Sequence, residues 1–301
     1  MKNDMKLFCF GYGYVADHLS KALKQDQNVS VLATTRDTIK RAHLKSAGIQ
    51  TYLFEDSRPL FDPDYALEGV THILLSIPPK DFGDPVFEAH YEAIKQLPNL
   101  KWIGYLSATS VYGDRGGAEV FESDESKPTS KRGSRRLKAE DQWRRGARID
   151  NLPVHIFRLA GIYGPGRNAL DSIRVGMARR ISKPGHAFNR VHIDDIVQVL
   201  KASMEKPNAG SVYNVSDDNP AESQEVTAYA ANLLGVEPPP LVALEDANLP
   251  PMARSFYNDN KRINNDKIKK ELGVNLLYPD YRAGLQACLE AEDETSLFAE
   301  E

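Results

Sequence analysis

The residues best suited to bind a phosphate group form the run Gly11-Tyr12-Gly13-Tyr14-Val15-Ala16. Glycine at the first position allows a tight turn, and glycine at the third lets a pyrophosphate approach the backbone closely. Alanine at the sixth position, where a third glycine is common, still allows a following helix to pack close to its strand. This spacing predicts that the run binds the pyrophosphate of a dinucleotide at a helix N-terminus. The alternative is a glycine turn that only joins a strand to a helix.

The kind of dinucleotide depends on the residues about 20 positions after the glycines, where NAD-binding proteins commonly have Asp or Glu for the ribose 2′-hydroxyl. Here the chain reads Ala33-Thr34-Thr35-Arg36, and the first carboxylate is Asp37. A guanidinium can bind a 2′-phosphate through two parallel hydrogen bonds, and the hydroxyl of Thr35 adds a donor. We therefore expect NADP(H) to be preferred, with NAD(H) as the alternative cofactor.

A second group of chemically active residues is basic. Nine basic and two acidic residues lie between positions 127 and 148, in a chain whose formal net charge is −4. A single basic segment in a net acidic chain is typical of a solvated helix face or an interface, so we do not expect a nucleic-acid partner. Small phosphorylated or carboxylated molecules fit this segment better.

These residues must be positioned by the surrounding strands and helices, and the N-terminal half alternates apolar strands with segments of helical period. The expected strands are 6–10, 29–34, 50–54, 72–77, 101–107 and 154–159, and the expected helices are 14–24 and 38–47. This alternation predicts an α/β fold, a doubly wound parallel sheet of the Rossmann type.

The C-terminal half is less regular. It predicts helices at 170–180, 194–205 with Asp194 as N-cap, 223–234 and 281–290, and a strand at 212–215. We expect a Rossmann domain over 1–165 plus 190–215, a smaller C-terminal substrate domain over 166–189 and 216–292, and an acidic tail over 293–301. Asp194 and Asp195 follow His192 and invite a metal hypothesis, but the N-cap position explains Asp194 without a metal, and none is expected.

Composition excludes several classes of protein. The chain has 301 residues, 41% of them hydrophobic, and only two cysteines. Two cysteines cannot form a disulfide framework or a cysteine-rich zinc site. Apolar runs fall far short of the ~18 residues of a membrane span. We therefore expect a cytoplasmic protein that does not act at a membrane.

Four further segments carry a family resemblance. They are 106–113 (LSATSVYG), 157–166 (FRLAGIYGPG), 191–195 (VHIDD) and 212–215 (VYNV). With the glycine run, they resemble the extended short-chain dehydrogenase/reductases of the NAD-dependent epimerase/dehydratase family, over nearly the whole chain. The resemblance implies a Rossmann domain followed by a smaller substrate domain.

The same resemblance implies a catalytic Ser or Thr that polarises a carbonyl, a Tyr that transfers a proton, and a Lys four residues later that holds the ribose. Alignment with this pattern puts Ala108 at the Ser/Thr position, Arg132 at the tyrosine and Arg136 at the lysine. All three usual groups are therefore changed, and the chain resembles the atypical members that lack the YxxxK motif. Ser107 and Thr109 lie on either side of Ala108.

The substitutions change the chemistry. Arginine stays protonated in proteins, so Arg132 cannot pass a proton as tyrosine does, but it can bind an anion or stabilise negative charge. The candidate catalytic residues are Thr109, Arg132, Arg136 and, as a replacement general acid, His192. The alternative is that both arginines are solvated side chains on an exposed helix.

Further residues are assigned by the resemblance and by their position after predicted strands. Asp56, Ser76, Pro78 and Ser107 are expected at the cofactor, in addition to the glycine run, Thr35 and Arg36. Arg190, Tyr112 and Tyr163 are expected at the substrate, with a structural role as the alternative for the two tyrosines.

The sequence thus predicts an NADP-binding atypical short-chain dehydrogenase/reductase, acting as an oxidoreductase or epimerase-type enzyme on a small anionic substrate. The alternative is a non-catalytic NADP-binding redox sensor or interaction protein. A homodimer is a further expectation.

Overall fold

The computed structural model describes residues 5–26 and 28–297. The first half of the chain forms β1 (Met5–Phe10), α1 (Tyr14–Asp26), β2 (Val29–Thr35), α2 (Thr38–Ser46), β3 (Gln50–Leu53), α3 (Pro63–Leu67), β4 (His72–Leu75), α4 (Pro85–Lys95), β5 (Trp102–Ala108), β6 (Glu119–Val120) and α5 (Lys131–Asp150).

The second half forms β7 (Val154–Leu159), β8 (Gly161–Tyr163), α6 (Ala169–Arg174), β9 (Arg180–Ser182), β10 (Arg190–His192), α7 (Ile193–Glu205), β11 (Val212–Val215), α8 (Ser223–Leu233), β12 (Leu241–Ala243), α9 (Pro251–Ser255), β13 (Arg262–Ile263), α10 (Asp266–Leu272) and α11 (Tyr281–Leu297). A short 3₁₀ turn covers Thr109–Tyr112.

Seven strands form one sheet in the order β11-β7-β5-β4-β1-β2-β3, and the pairs among β5, β4, β1, β2 and β3 are parallel. The chain reverses its direction of progress across the sheet between β1 and β4, which is the switch point where dinucleotides bind in Rossmann folds. The predicted Rossmann-type sheet is confirmed.

The strands of this sheet are buried because their apolar runs are covered by helices. All four residues of β4 and all six of β7 are buried. Helix α1 buries Val15, Ala16 and Leu19. On α5, Trp143 is fully buried and its ring packs edge-on against Phe87 of α4, at 5.2 Å between centroids. This packing fixes α5 in unit 1.

The chain divides into two compact units. Within the described residues, unit 1 contains 5–26, 28–111, 131–158 and 197–213, and unit 2 contains 112–130, 159–196 and 214–297. The expected domain boundary kept the segment 112–130 with the Rossmann domain. In the structure it belongs to unit 2, because its strand β6 pairs with β13. In unit 2, α6, α8 and α11 enclose a core of Leu170, Ala230 and Leu285.

Several predicted elements differ from the observed ones. The helix expected over 170–180 ends at Arg174, since Arg180 already belongs to β9. Asp194 is not an N-cap: α7 begins at Ile193, and Nδ1 of His192 accepts the hydrogen bond from the Asp194 amide at 3.3 Å. The last helix extends to Leu297, so part of the expected tail is helical, and residues 298–301 lie outside the described part.

Both cysteines, Cys9 and Cys288, are buried free thiols. Within residues 5–26 and 28–297, no helix is long and apolar enough to cross a membrane. The same residues contain no cluster of three or more His, Cys, Asp or Glu side chains arranged to hold a metal ion.

Candidate functional site

The loop after β1 has the backbone that its glycines predict. Gly11 has a φ of +85°, and a Cβ there would lie 2.9 Å from Oγ of Ser76 and 3.0 Å from Cγ1 of Ile77. The amide of Gly11 donates to Oγ1 of Thr34 at 2.8 Å. Only glycine fits this position without strain, because both the φ angle and the neighbouring side chain oppose a Cβ.

Gly13 meets a different requirement. A Cβ built there would have no atom within 4 Å, so the space above the loop is open. The amide of Asp17 donates to the carbonyl of Gly13, which makes Gly13 the residue that precedes the first turn of α1. The amides of a first helical turn have no partners within the helix and can bind a pyrophosphate. The side chains of Val15 and Ala16 are buried, so these residues can offer only their backbone amides.

A cavity of about 380 Å³ opens beside this loop in unit 1. It is lined by Gly11, Tyr12, Gly13, Thr34, Thr35, Arg36, Lys40, Phe54, Glu55, Asp56, Ser76, Ile77, Pro78, Lys80 and Pro85. Eight predicted cofactor residues therefore lie together: Gly11, Tyr12, Gly13, Thr35, Arg36, Asp56, Ser76 and Pro78. The other four predicted cofactor residues, Tyr14, Val15, Ala16 and Ser107, do not line it.

The end of β2 presents cations to this cavity. Oδ1 of Asp37 accepts the amides of Ile39 and Lys40, at 2.8 and 3.0 Å, and so caps α2. These hydrogen bonds hold the pKa of Asp37 below its usual value, and the charges of Lys40 and Arg36 add to the effect. The carboxylate is thus engaged by α2, while Arg36 and Lys40 line the cavity and Nζ of Lys40 donates to the carbonyl of Tyr12 at 2.5 Å.

The acidic residues of the cavity are paired with bases. Asp56 lies 3.3 Å from Nζ of Lys80, and Glu55 lies 3.0 Å from Arg58. The hydroxyl of Ser76 donates to the carbonyls of Phe10 and Gly11 at 3.1 and 2.7 Å. Ser76 therefore fixes the loop between β1 and α1.

Tyr12 lies against the same loop with a buried ring, and burial raises the pKa of its phenol to about 12. A phenol with this pKa is a poor proton donor near neutrality. Tyr14 begins α1 and packs against His18, with ring centroids 4.5 Å apart.

Ser107 belongs to a buried polar network below α5. Its hydroxyl donates to Oε1 of Glu140 at 2.5 Å. Nη2 and Nε of Arg158 donate to the same carboxylate at 2.8 and 3.1 Å. Glu140 and Arg158 are 0% and 1% exposed. The network connects α5 to β5 and β7 and so sets the position of the helix.

The two arginines that the resemblance predicts at the Tyr and Lys positions have different surroundings. Arg136 is half-buried, and its Nη1 donates to the carbonyl of Leu106 on β5. Arg132 is exposed. On the same helix, Arg135 binds both carboxylate oxygens of Asp81, at 2.7 and 2.9 Å. Thr109 is half-buried and begins the 3₁₀ turn after β5.

His192 lies in the interior of unit 2. It is 2% exposed, and its ring contacts Tyr278 and Tyr163, with centroids 4.1 and 5.2 Å away. Its Nδ1 accepts from the Asp194 amide, and its Nε2 is 3.6 Å from Sγ of Cys288. These contacts give His192 a structural role at the start of α7.

The predicted substrate residues also belong to unit 2. Tyr112 is fully buried and donates to Oδ1 of Asn214 at 2.7 Å. Tyr163 donates to the carbonyl of Asp280 at 3.3 Å, and burial raises the pKa of its phenol. Tyr163 and Arg190 line a cavity of about 600 Å³. The structure thus brings two of these three residues to one cavity.

Sequence reasoning missed the buried pair Glu140–Arg158 and the contact of Lys40 with the loop. Lys40 lies four residues after Arg36, in the first turn of α2, and its charge is evident in the sequence. Its hydrogen bond to the carbonyl of Tyr12 depends on the fold. The pair gave no local signal, because its residues lie 18 positions apart on different elements.

Comparison with known proteins agrees with this architecture. No protein-family model matches the chain. Protein YeeZ of Escherichia coli K12 is 29% identical over 290 residues, which cover 91% of this chain and 97% of YeeZ. A conserved protein of unknown function from Silicibacter pomeroyi DSS is 46% identical, with a TM-score of 0.88 over 95% of this chain and 99% of that one.

The UDP-glucuronic acid 4-epimerase of Bacillus cereus, solved in complex with NAD, is 20% identical, with a TM-score of 0.76 over 94% of this chain and 97% of the epimerase. At this identity the likeness concerns the fold. The expected resemblance to the epimerase/dehydratase family is confirmed at that level.

Proposed function

We propose that this chain binds NADP(H) and acts as an oxidoreductase or epimerase-type enzyme on a small anionic substrate. It belongs to the same family as the conserved Silicibacter pomeroyi protein and has the fold of an NAD-binding epimerase. The observation that carries the cofactor proposal is the open space above Gly13, next to a Gly11 that tolerates no Cβ. The pyrophosphate would bind to the first-turn amides of α1.

The preference for NADP(H) is supported by the charges at the end of β2. The carboxylate of Asp37 caps α2 through the amides of Ile39 and Lys40. It is therefore engaged where an NAD-binding protein would present an acceptor to the ribose 2′-hydroxyl. Arg36 and Lys40 line the cavity and would bind a 2′-phosphate.

Calorimetry with NADP⁺ and NAD⁺ tests this preference. We expect NADP⁺ to bind more tightly, and Arg36→Ala to weaken NADP⁺ binding about tenfold or more while leaving NAD⁺ binding unchanged. Arg41→Ala is the matched control, because Arg41 is a nearby arginine on α2 that does not line this cavity. Equal affinities of the wild type for both dinucleotides would refute the preference.

When bound, the cofactor would supply hydride transfer. The chain would contribute orientation and charge. Arg132, exposed on α5, would bind a substrate anion or stabilise developing negative charge, and Arg136 would hold the strand end at Leu106. Neither arginine can act as the proton donor.

A second candidate function is a non-catalytic NADP-binding redox sensor or interaction protein. It is favoured by Ala108, Arg132 and Arg136 at the three positions where the family has its reacting groups. A turnover screen of carbonyl compounds and nucleotide sugars, followed through the absorbance of reduced nicotinamide, separates the two. Tight cofactor binding without turnover across the panel would favour the sensor.

We further propose that the protein is a cytoplasmic homodimer. Two buried free thiols are consistent with a reducing compartment. Gel filtration with light scattering tests the oligomeric state, and a monomer at micromolar concentration would contradict it.

A further inference from the structure

Unit 2 contains a cavity of about 600 Å³ that is separate from the dinucleotide cavity of unit 1. Its walls come from the loop after β8, from β10 and from helices α6, α8 and α11. A cavity of this volume is within the range of small-molecule sites.

One arginine lies in the wall of this cavity with part of its guanidinium held in place. Nη1 of Arg190 donates to the carbonyls of Phe188 and Ala221, at 2.9 and 3.0 Å. No described residue accepts a hydrogen bond from its Nε or Nη2. Because the backbone fixes the side chain, these donors are preorganised for a ligand, and two adjacent N–H groups suit a carboxylate or a phosphate.

The nearby carboxyl groups do not neutralise Arg190. Asp217 is 1% exposed, and no oxygen of it lies within ion-pair distance of Arg190. Burial raises the pKa of Asp217 to about 8, although the charge of Arg190 opposes the shift, so burial disfavours the charged form of this carboxyl. Oδ2 of Asp171, which also lines the cavity, accepts the amide of Asn168 in a capping box.

The rest of the wall is suited to a ring. Tyr281, Val226 and Leu285 are buried side chains that present apolar atoms to the cavity. Ser223 and Thr227 add hydroxyl groups on the side of α8. A ligand with an anionic group and a flat apolar body would bury both parts here.

We propose that this cavity binds an organic anion, a carboxylate or a phosphate monoester attached to a ring-sized apolar group, with the anion on Nε and Nη2 of Arg190 and the ring against Tyr281 and Val226. The statement that this ligand is the enzyme's substrate rests on the proposed function. The binding itself does not, because unit 2 supplies every group that it needs.

The test uses the full chain without cofactor and measures binding by calorimetry. The probes are benzoate and phenyl phosphate, and benzamide and phenol are the neutral controls. We expect saturable binding of at least one anion to a single site, and weaker or no binding of its neutral counterpart. Either anion supports the proposal, and the tighter one identifies the head group. Equal binding of anions and neutral analogues, or no binding of either anion, would overturn it.

Two variants locate the site. Arg190→Gln should weaken anion binding about tenfold or more, because a charged hydrogen-bond pair is lost. Since Arg190 also holds two backbone carbonyls, Ser172→Phe provides a second variant, which fills the cavity and leaves Arg190 in place. Arg145→Gln, an exposed arginine of unit 1, is the charge-matched control. Unchanged affinity in folded Ser172→Phe would overturn the assignment to this cavity.

Titration of the same preparation with NADP⁺ separates this inference from the proposed function. Anion binding without dinucleotide binding would refute the cofactor proposal alone. Dinucleotide binding without anion binding would refute the present inference alone.

Discussion

The loop after β1 and helix α5 belong to the same unit, and they relate to the family pattern in opposite ways. The loop keeps the glycine spacing, and its backbone adopts the geometry that this spacing requires, with Gly11 at φ +85°. Helix α5 carries Arg132 and Arg136 at the positions where the family resemblance predicts a tyrosine and a lysine.

The difference shows which structural features depend only on residues that are neighbours in the sequence. A tight turn depends on the φ angle and the space at single glycines, so the sequence alone reveals it. Helix α5 is positioned by a network below it, in which Glu140 binds Arg158 and Ser107. Its outward residues can therefore change without loss of the fold, whereas a change in the loop alters the backbone itself.

The largest expected effect tests whether the buried network holds α5. Arg158→Met removes one partner of a pair that is 1% and 0% exposed, and leaves the buried charge of Glu140 without its buried counter-charge. We expect a loss of about 3–5 kcal/mol of unfolding free energy, measured in urea. The double variant Arg158→Met/Glu140→Leu should recover part of this loss, because no charge is left buried.

Arg144→Gln is the control for this prediction. Arg144 lies 3.5 Å from the same carboxylate, but its side chain is 41% exposed. Its removal should change the unfolding free energy by less than about 0.5 kcal/mol. A similar small effect for Arg158→Met would mean that the pair does not anchor the helix.

The next prediction distinguishes the roles of Gly11 and Gly13 in the loop. Gly11→Ala places a Cβ at 2.9 Å from Oγ of Ser76 and at a positive φ, so it should cost about 1–3 kcal/mol of stability and also abolish dinucleotide binding. Gly13→Ala meets no atom within 4 Å and should leave the melting temperature unchanged, while it blocks the approach of the pyrophosphate. Thermal melts and calorimetry on both variants measure this, and a Gly13→Ala protein that binds dinucleotide normally would contradict it.

The sequence predicted the parts of the fold that depend on neighbouring residues. The strand over Val154–Leu159 and the strand over Val212–Val215 have the expected bounds, because both are short segments rich in β-branched and aromatic residues. Helix α4 was missed: Pro85 stands at its first turn, where it is well tolerated, and Asp84 caps it through the amides of Val86 and Phe87. The sequence Asp84-Pro85 is typical of a helix start and could have predicted α4.

The sequence also predicted only those parts of the candidate site that depend on neighbouring residues and strand order. Eight predicted cofactor residues meet at one cavity because they lie at or after the ends of strands that are adjacent in the Rossmann order. The N-cap prediction for Asp194 was wrong because the ring of His192 takes that role, which depends on β10 ending at His192. Partners that tertiary contacts select, such as Arg158 for Glu140, give no local pattern.

A smaller expected effect concerns the influence of the Arg136 charge on the pKa of the buried carboxyl of Asp84. Burial raises the pKa of Asp84 to about 6, and the charge of Arg136 is among the effects that lower it. A carboxyl whose pKa is raised on folding makes the protein lose stability as pH rises from about 4 through about 6. In Arg136→Gln the pKa of Asp84 should rise further, so the loss should grow by about 1 kcal/mol and extend to higher pH.

Unfolding in urea at several pH values between about 4 and 8 measures this change. Arg132→Gln is the matched control one turn away, and its profile should follow the wild type. Identical profiles for Arg136→Gln and the wild type would mean that Arg136 is not coupled to Asp84.

The smallest expected effect concerns the outer side of α5, where Arg135 donates hydrogen bonds to both carboxylate oxygens of the exposed Asp81. These hydrogen bonds hold the pKa of Asp81 at about 2, with Lys131 as a further contributor. Arg135→Gln should raise the pKa of Asp81 toward its usual value, measured by carbon NMR of the carboxyl group. The melting temperature at neutral pH should stay unchanged, because an exposed ion pair contributes little to stability.

Salt should raise the pKa of Asp81 in the wild type as well, since it screens exposed charges. A clear fall in the melting temperature of Arg135→Gln would show that α5 is held from outside as well as from the buried network, and the contrast with the loop after β1 would then lose its physical basis.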